Sequence, residues 1–144
     1  MANEFAPNVQ DADLTTADKA LPNAGSGTEV TVSIDLGPGT KLAHAAELVI
    51  VAPALNTTEL PDATTVKYSI EDSADDASFA AVATNVLTQT GAGGAGHAGV
   101  EGISEAGGRV GIPSSLRQFV RLSAVTSAGT GDASGGLMSL RVVV

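Results

Sequence analysis

The side chains in this sequence that could do chemistry are few and poorly matched to one another. His44 and His97 are its two histidines, and neither stands at a spacing used by zinc or facial-triad sites. Cysteine is absent, which excludes a thiol nucleophile, thiolate ligation and a disulfide framework. Glu71, Asp72, Asp75 and Asp76 offer oxygen ligands of the kind calcium takes, but without the alternating spacing and fixed glycine of an EF-hand loop. A solvated turn is the expected state of that cluster. Gly91-Ala92-Gly93-Gly94-Ala95-Gly96 has the letters of a dinucleotide-binding loop. Such a loop works by opening a helix whose N-terminus holds the pyrophosphate. Here His97-Ala98-Gly99-Val100-Glu101-Gly102 follows, too rich in glycine for a helix, and a flexible surface loop is expected instead. Ser114 and Ser115 sit in no nucleophile elbow, and nothing in the spacing sets two carboxylates across a cleft. The expectation is no catalytic residue, no cofactor and no metal.

Composition narrows the partners. The chain has 144 residues, one ordinary domain's worth, and 43% of them are apolar, enough for a real core. Only 3% are aromatic, so that core must be built from Val, Leu, Ile and Ala. Sixteen acids against seven bases give a formal charge of -9. This argues against nucleic acid, whose phosphates need a basic face, and against an anionic membrane. Met1-Ala2-Asn3-Glu4-Phe5-Ala6-Pro7 does not read as a signal peptide. The longest apolar run, residues 48–55, is broken by Pro53 and is too short to span a bilayer. A soluble protein made in a cytoplasm is expected.

The elements that must position any site are strands. Residues 1–28 are polar, carry Pro7 and Pro22, and show no sustained period; they read as an extended N-terminal arm before a single domain over 29–144. Val30, Val32, Ile34 and Leu36 alternate with Thr31, Ser33 and Asp35, predicting one half-buried strand with all four apolar residues inward. Leu48, Val49, Ile50 and Val51 form an unbroken row, as for a strand covered on both faces. Val66, Tyr68 and Ile70 face in across residues 65–72. Val120, Leu122 and Ala124 form one face of another strand, with Arg117, Phe119, Arg121 and Ser123 on the other. Met138, Leu140, Val142 and Val144 close the chain. Residues 79–88 carry a helical stripe of Phe79, Val82, Ala83, Val86 and Leu87, but their threonines favour a strand, with one helical turn around residues 75–79. Residues 91–108 and 126–136 read as loose loops. Five or more strands and long polar connections predict an all-β fold, a β-sandwich of jelly-roll type.

Phe119 between Arg117 and Arg121 is the most informative outward feature: either it belongs to a second core layer of the sandwich, or it anchors a subunit contact, as aromatics and arginine do at interfaces. The arm, with Phe5, and the glycine loop, with His97, are further candidates for partner contacts.

Three blocks of the chain resemble a known family. They are Val32-Ser33-Ile34-Asp35-Leu36-Gly37 ahead of the strand at 48–51, Val66-Lys67-Tyr68-Ser69-Ile70-Glu71-Asp72-Ser73 with Asp76 and Phe79 beyond, and Pro113 before Arg117-Gln118-Phe119-Val120-Arg121-Leu122. In this order they resemble the small capsid cement (decoration) proteins of tailed phages, of the Bordetella-phage type, over roughly residues 29–144. The resemblance implies a jelly-roll-like fold that forms a homo-oligomer and sits on the outside of the virion. There it would bridge subunits of the major capsid protein, with no catalytic residues. The arm and the glycine-rich stretch are longer than that pattern requires.

Two other classes compete. A carbohydrate-binding or adhesin-like β-sandwich would stack sugars on exposed aromatics, of which one Tyr, three Phe and no Trp leave few. A small β-fold enzyme needs a polar constellation assembled from distant residues.

Overall fold

The computed structural model describes residues 15–37, 47–102, 110–111 and 116–143. Phe5, His44, Ser114, Ser115 and Val144 lie outside the described residues. Those described form ten strands and no helix: β1 (Lys19–Ala20), β2 (Thr28–Val30), β3 (Ile34–Asp35), β4 (Glu47–Ala52), β5 (Thr65–Ser73), β6 (Ala80–Thr90), β7 (Val100–Gly102), β8 (Val110–Gly111), β9 (Phe119–Thr126) and β10 (Leu137–Val143).

They make two antiparallel sheets stacked as a β-sandwich. The first runs β1-β10-β4-β7 and the second β2-β9-β5-β6. β8 continues β7 along the same edge of β4, and β3 continues β2 along the same edge of β9. The pairings are nested: β5 with β6 inside β4 with β7 and β8, then β2 and β3 with β9, and outermost β1 with β10.

The core follows from side-chain parity. β5 turns Val66, Tyr68 and Ile70 inward, β9 turns Val120, Leu122 and Ala124, and β10 turns Met138, Leu140 and Val142. Leu48, Ile50 and Ala52 of β4 meet them. Each fully buried aliphatic side chain stabilises by about 1.5–3 kcal/mol. Val49 faces the other way, opposite Arg141, and is still only 3% exposed, so the unbroken apolar row of β4 is closed on both faces. Residues 80–88 belong to β6, Phe79 stands just before it, and the bends at residues 74–78 contain no helical turn.

Parity fails once. Val30 stands opposite Ser123 and Ile34 opposite Val120, so four steps on one strand match three on β9. The extra residue is a bulge, and a one-residue slip exchanges the faces. Thr31 goes inward: its N–H donates to the Leu122 carbonyl at 2.9 Å, and its Oγ1 accepts the Leu122 N–H at 3.0 Å. Val32, expected in the core, is 63% exposed, while Ile34 and Leu36 are buried as expected.

Three segments expected to be loose are held by backbone bonds. From Thr15 the supposed arm joins the sandwich: Thr16 N–H donates to Leu140 O, β1 pairs with β10, and Leu21 is buried. In the glycine stretch Leu55 and His97 exchange backbone hydrogen bonds at 2.8 and 2.9 Å. Gly96 has φ +67°, and a Cβ there would lie 2.0 Å from the Leu55 carbonyl oxygen, so only glycine fits. In the segment after β9, Gly131 N–H donates to Glu59 O, and Ala133 N–H to Pro22 O.

One buried polar group joins these parts. Gln89 of β6 is 0% exposed. Its Oε1 accepts the Tyr68 hydroxyl at 2.8 Å, and its Nε2 donates to Pro53 O at 2.8 Å and Ala98 O at 3.2 Å. Burial pushes the Tyr68 phenol well above its usual range, so it remains a donor. Gln89→Leu strands a hydroxyl and two carbonyls, and is expected to cost about 3 kcal/mol in urea unfolding. Tyr68→Phe should cost less, and the double variant less than the sum, because the two side chains share one bond.

Candidate interaction surface

The outward face of the second sheet is the place to look for recognition, because its inner face is consumed by the core. On β9 Phe119, Arg121 and Val125 point to this face with buried Ser123 between them, and β5 sets Lys67, Ser69, Glu71 and buried Ser73 in register beside them. Arg121 is fixed twice. Its Nε donates to Glu71 Oε2 at 2.7 Å, and its guanidinium carbon lies 3.9 Å from the centroid of the Phe79 ring. A cation over an aromatic ring adds roughly 0.5–1 kcal/mol at such an exposed site. Around this pair Thr31, Val32, Ser33 and Asp76 line an open groove of about 260 Å³, closed on one side by a hydrogen bond from the Ser33 hydroxyl to Asp76. Val32 at its rim and Val125 further along the sheet, 41% exposed, are aliphatic groups set among mostly polar side chains. Phe119 is half-buried on the same face, between Asp35 and Ser73.

Arg117 has a different task from the one its sequence neighbours implied. Asp72 takes the next inward position of β5 after Ile70 and is 1% exposed. Arg117 surrounds it: its backbone N–H donates to Oδ2 at 2.9 Å, Nε to Oδ1 at 2.6 Å, and Nη2 to the Asp72 carbonyl at 2.7 Å. This is a fork-like, charge-assisted contact that neutralises a buried carboxylate. The four acids proposed as a cluster therefore separate. Asp72 goes to Arg117, Glu71 to Arg121, Asp76 to Ser33, and Asp75 to its own turn. Among the described residues no three metal-ligating side chains converge.

His97 lies at a different groove, of about 570 Å³, with Ala54, Leu55, Asn56, Glu59, Ala95 and Ala98. Its Nδ1 is 2.6 Å from the Ala98 carbonyl oxygen. Of the proposed contact residues, Arg121 and Phe119 share one face, while Arg117 is engaged with Asp72. Phe5 falls outside the described residues. Sequence reasoning missed Phe79 and Val32 as surface groups. Phe79 had been read into a stripe of residues 79–87, and nothing local marks the bulge that turns Val32 outward.

No protein-family model matches the chain, and no curated protein matches it significantly.

Two outcomes follow from this geometry. Arg117→Met leaves the Asp72 carboxylate buried without its counter-ion and should cost roughly 2–4 kcal/mol in denaturant unfolding. The lower part of that range reflects a guanidinium that keeps 40% exposure. The second concerns acid. The Ser78 N–H, then the Ser73 hydroxyl and the Ala77 N–H, lower the Asp75 pKa from 3.8 to about 2. A carboxylate whose folded pKa is depressed contributes stability above its unfolded pKa, and loses it as pH falls through the folded value. The melting-temperature advantage of the wild type over Asp75→Asn should be constant above about pH 5 and shrink towards pH 2.

Proposed function

We propose that this protein is a structural virion protein, a capsid cement protein that binds the outside of the major capsid shell as a homo-oligomer and stabilises it. The observation that carries the reading is the outward face of the second sheet. There exposed Val32 and Val125, half-buried Phe119, and Arg121 seated on Phe79 bring aliphatic, aromatic and arginine groups together on one sheet face. Aromatic and arginine anchors are what protein interfaces concentrate. The nested pairing of the strands supports a jelly-roll wiring, which viral capsid and lectin domains share. The functional logic is repetition: each copy makes a modest contact, and many copies on one lattice hold neighbouring subunits together.

The reading is tested by cosedimentation of the purified protein with capsid shells stripped of it. The wild type should pellet with shells. Val32→Asp and Val125→Asp should reduce occupancy at least about tenfold, since each puts a charge into an apolar contact. Leu137→Asp, at an exposed position on the first sheet, should bind as the wild type does. Failure of the wild type to bind shells overturns the reading. Specific binding on a glycan array that Phe79→Ala abolishes would replace it with the carbohydrate-binding alternative.

A further inference from the structure

We infer that β6 is a self-association edge: two copies pair their β6 strands antiparallel about a two-fold axis and fuse their second sheets into one. The inference names the contact behind the homo-oligomer proposed above, and it rests on that reading only for its role on a shell.

β6 is the outer strand of the second sheet, and among the described residues no strand pairs with its other side. It is eleven residues long, Ala-Ala-Val-Ala-Thr-Asn-Val-Leu-Thr-Gln-Thr, with no proline and no charge. Long uncharged edges are templates for another strand, and proteins ordinarily shorten, bend or charge them. The other edges here follow that practice. β1 has two residues, β2 and β3 are split by the bulge at Thr31, and β7 and β8 have three and two residues, with Glu101 charging β7. The Lys19–Glu29 ion pair at 2.9 Å ties β1 to β2 on the far side. Val82 on β6 is 44% exposed.

Charge favours a second copy as the occupant. In a chain of formal charge -9, a strand free of acids is where two copies approach with least repulsion. Among the described residues, Lys67 is the one Lys or Arg without an ion-pair partner, and it stands on β5 opposite Thr88, near the end of β6. Asp75 and Asp76 precede the start of β6. Antiparallel pairing brings the start of one β6 alongside the end of the other. A two-fold axis perpendicular to the sheet keeps the outward faces on one side. Lys67 of each copy is thereby brought towards Asp75 and Asp76 of the other, in two equivalent contacts, as an isologous interface requires. The bulge at Asn85 (φ 50°), whose N–H donates to Ser69 Oγ at 2.9 Å, falls near the two-fold axis and interrupts the ladder between the two halves of the edge, so the dimer is weak.

Sedimentation velocity on the full chain from about 1 to 500 µM tests this. The wild type should pass from monomer to dimer within that range, with dimerisation weakened by added salt. Val82→Lys combined with Thr84→Lys, both exposed positions, sets like charges along the edge and should leave a monomer throughout, its fold verified by circular dichroism. Lys67→Glu should raise the dissociation constant at least about fivefold, and adding Asp75→Lys and Asp76→Lys to it should restore part of the loss. A wild type that stays monomeric, or a dimer untouched by the Val82/Thr84 change, overturns the inference. Shell cosedimentation separates the two readings. A monomeric wild type that still binds shells sinks only the dimer, and a dimer that ignores shells sinks only the cement function.

Discussion

The structure depends on one buried amide. A sandwich built from small aliphatic side chains has a strong drive to collapse and little to say about which layer offset it adopts. Gln89 supplies that information. Its single side chain reads a donor from β5, a carbonyl from the end of β4 and a carbonyl from the approach to β7. The donor belongs to the second sheet, and the two carbonyls flank strands of the first. Buried polar groups are costly unless every member is satisfied, and among the described residues no buried side-chain polar atom is left without a partner. A slip of β6 by one residue would place Leu87 outside and leave Tyr68, Pro53 and Ala98 unpaired. The register of β6 is thus set at its C-terminal end, and the bulge around Asn85 absorbs what remains.

A second polar lock works on the same strand. Tyr68 and Asp72 are both inward positions of β5, with Ile70 between them. Tyr68 meets Gln89, and Asp72 meets Arg117 where the chain arrives to begin β9. β5 is therefore fixed against β6 at one end and against the entry to β9 at the other. The alignment of Arg121 with Glu71, and so its place above Phe79, follows from those two locks. The outward face is a consequence of inward chemistry.

Much of the fold was legible in the sequence wherever a period had room to repeat. β5, β9 and β10 span seven to nine residues, and their alternation predicted the faces found. β2 and β3 show where that method stops. The letters alternate without a break from Val30 to Leu36, yet the Thr31 hydroxyl takes a ladder hydrogen bond from Leu122 and inserts an extra residue. The competing choice lies 91 residues away in the chain, and no local pattern contains it. β1 has two residues and no period at all. The glycine stretch misled for another reason: glycine was read as freedom, whereas Gly96 is required because Leu55 approaches its backbone too closely for any side chain. At the candidate surface, Arg121 and Phe119 were legible as an aromatic and arginine pattern. The partners that decide what they do, Phe79, Glu71 and Ser73, come from a different hairpin. Arg117 shows the reverse case, an arginine that looked adhesive and is engaged by an inward carboxylate 45 residues away.

The outward face and the β6 edge are parts of one sheet, and this bears on how a small acidic protein could grip a large lattice. Alone, the face offers one patch around Val32, Arg121 and Phe119, whereas a stable contact buries roughly 1,200–2,000 Å² in total. Pairing through β6 about an axis perpendicular to the sheet would set two such patches side by side, facing the same way. A rigid dimer would then meet a shell at two points at once, with an effective concentration for the second contact set by a continuous sheet rather than by a flexible linker. The alternative arrangement, with copies joined through the first sheet, would turn the two faces apart and leave each to bind singly. Weak self-association and a shallow adhesive face are each modest. On one sheet they multiply.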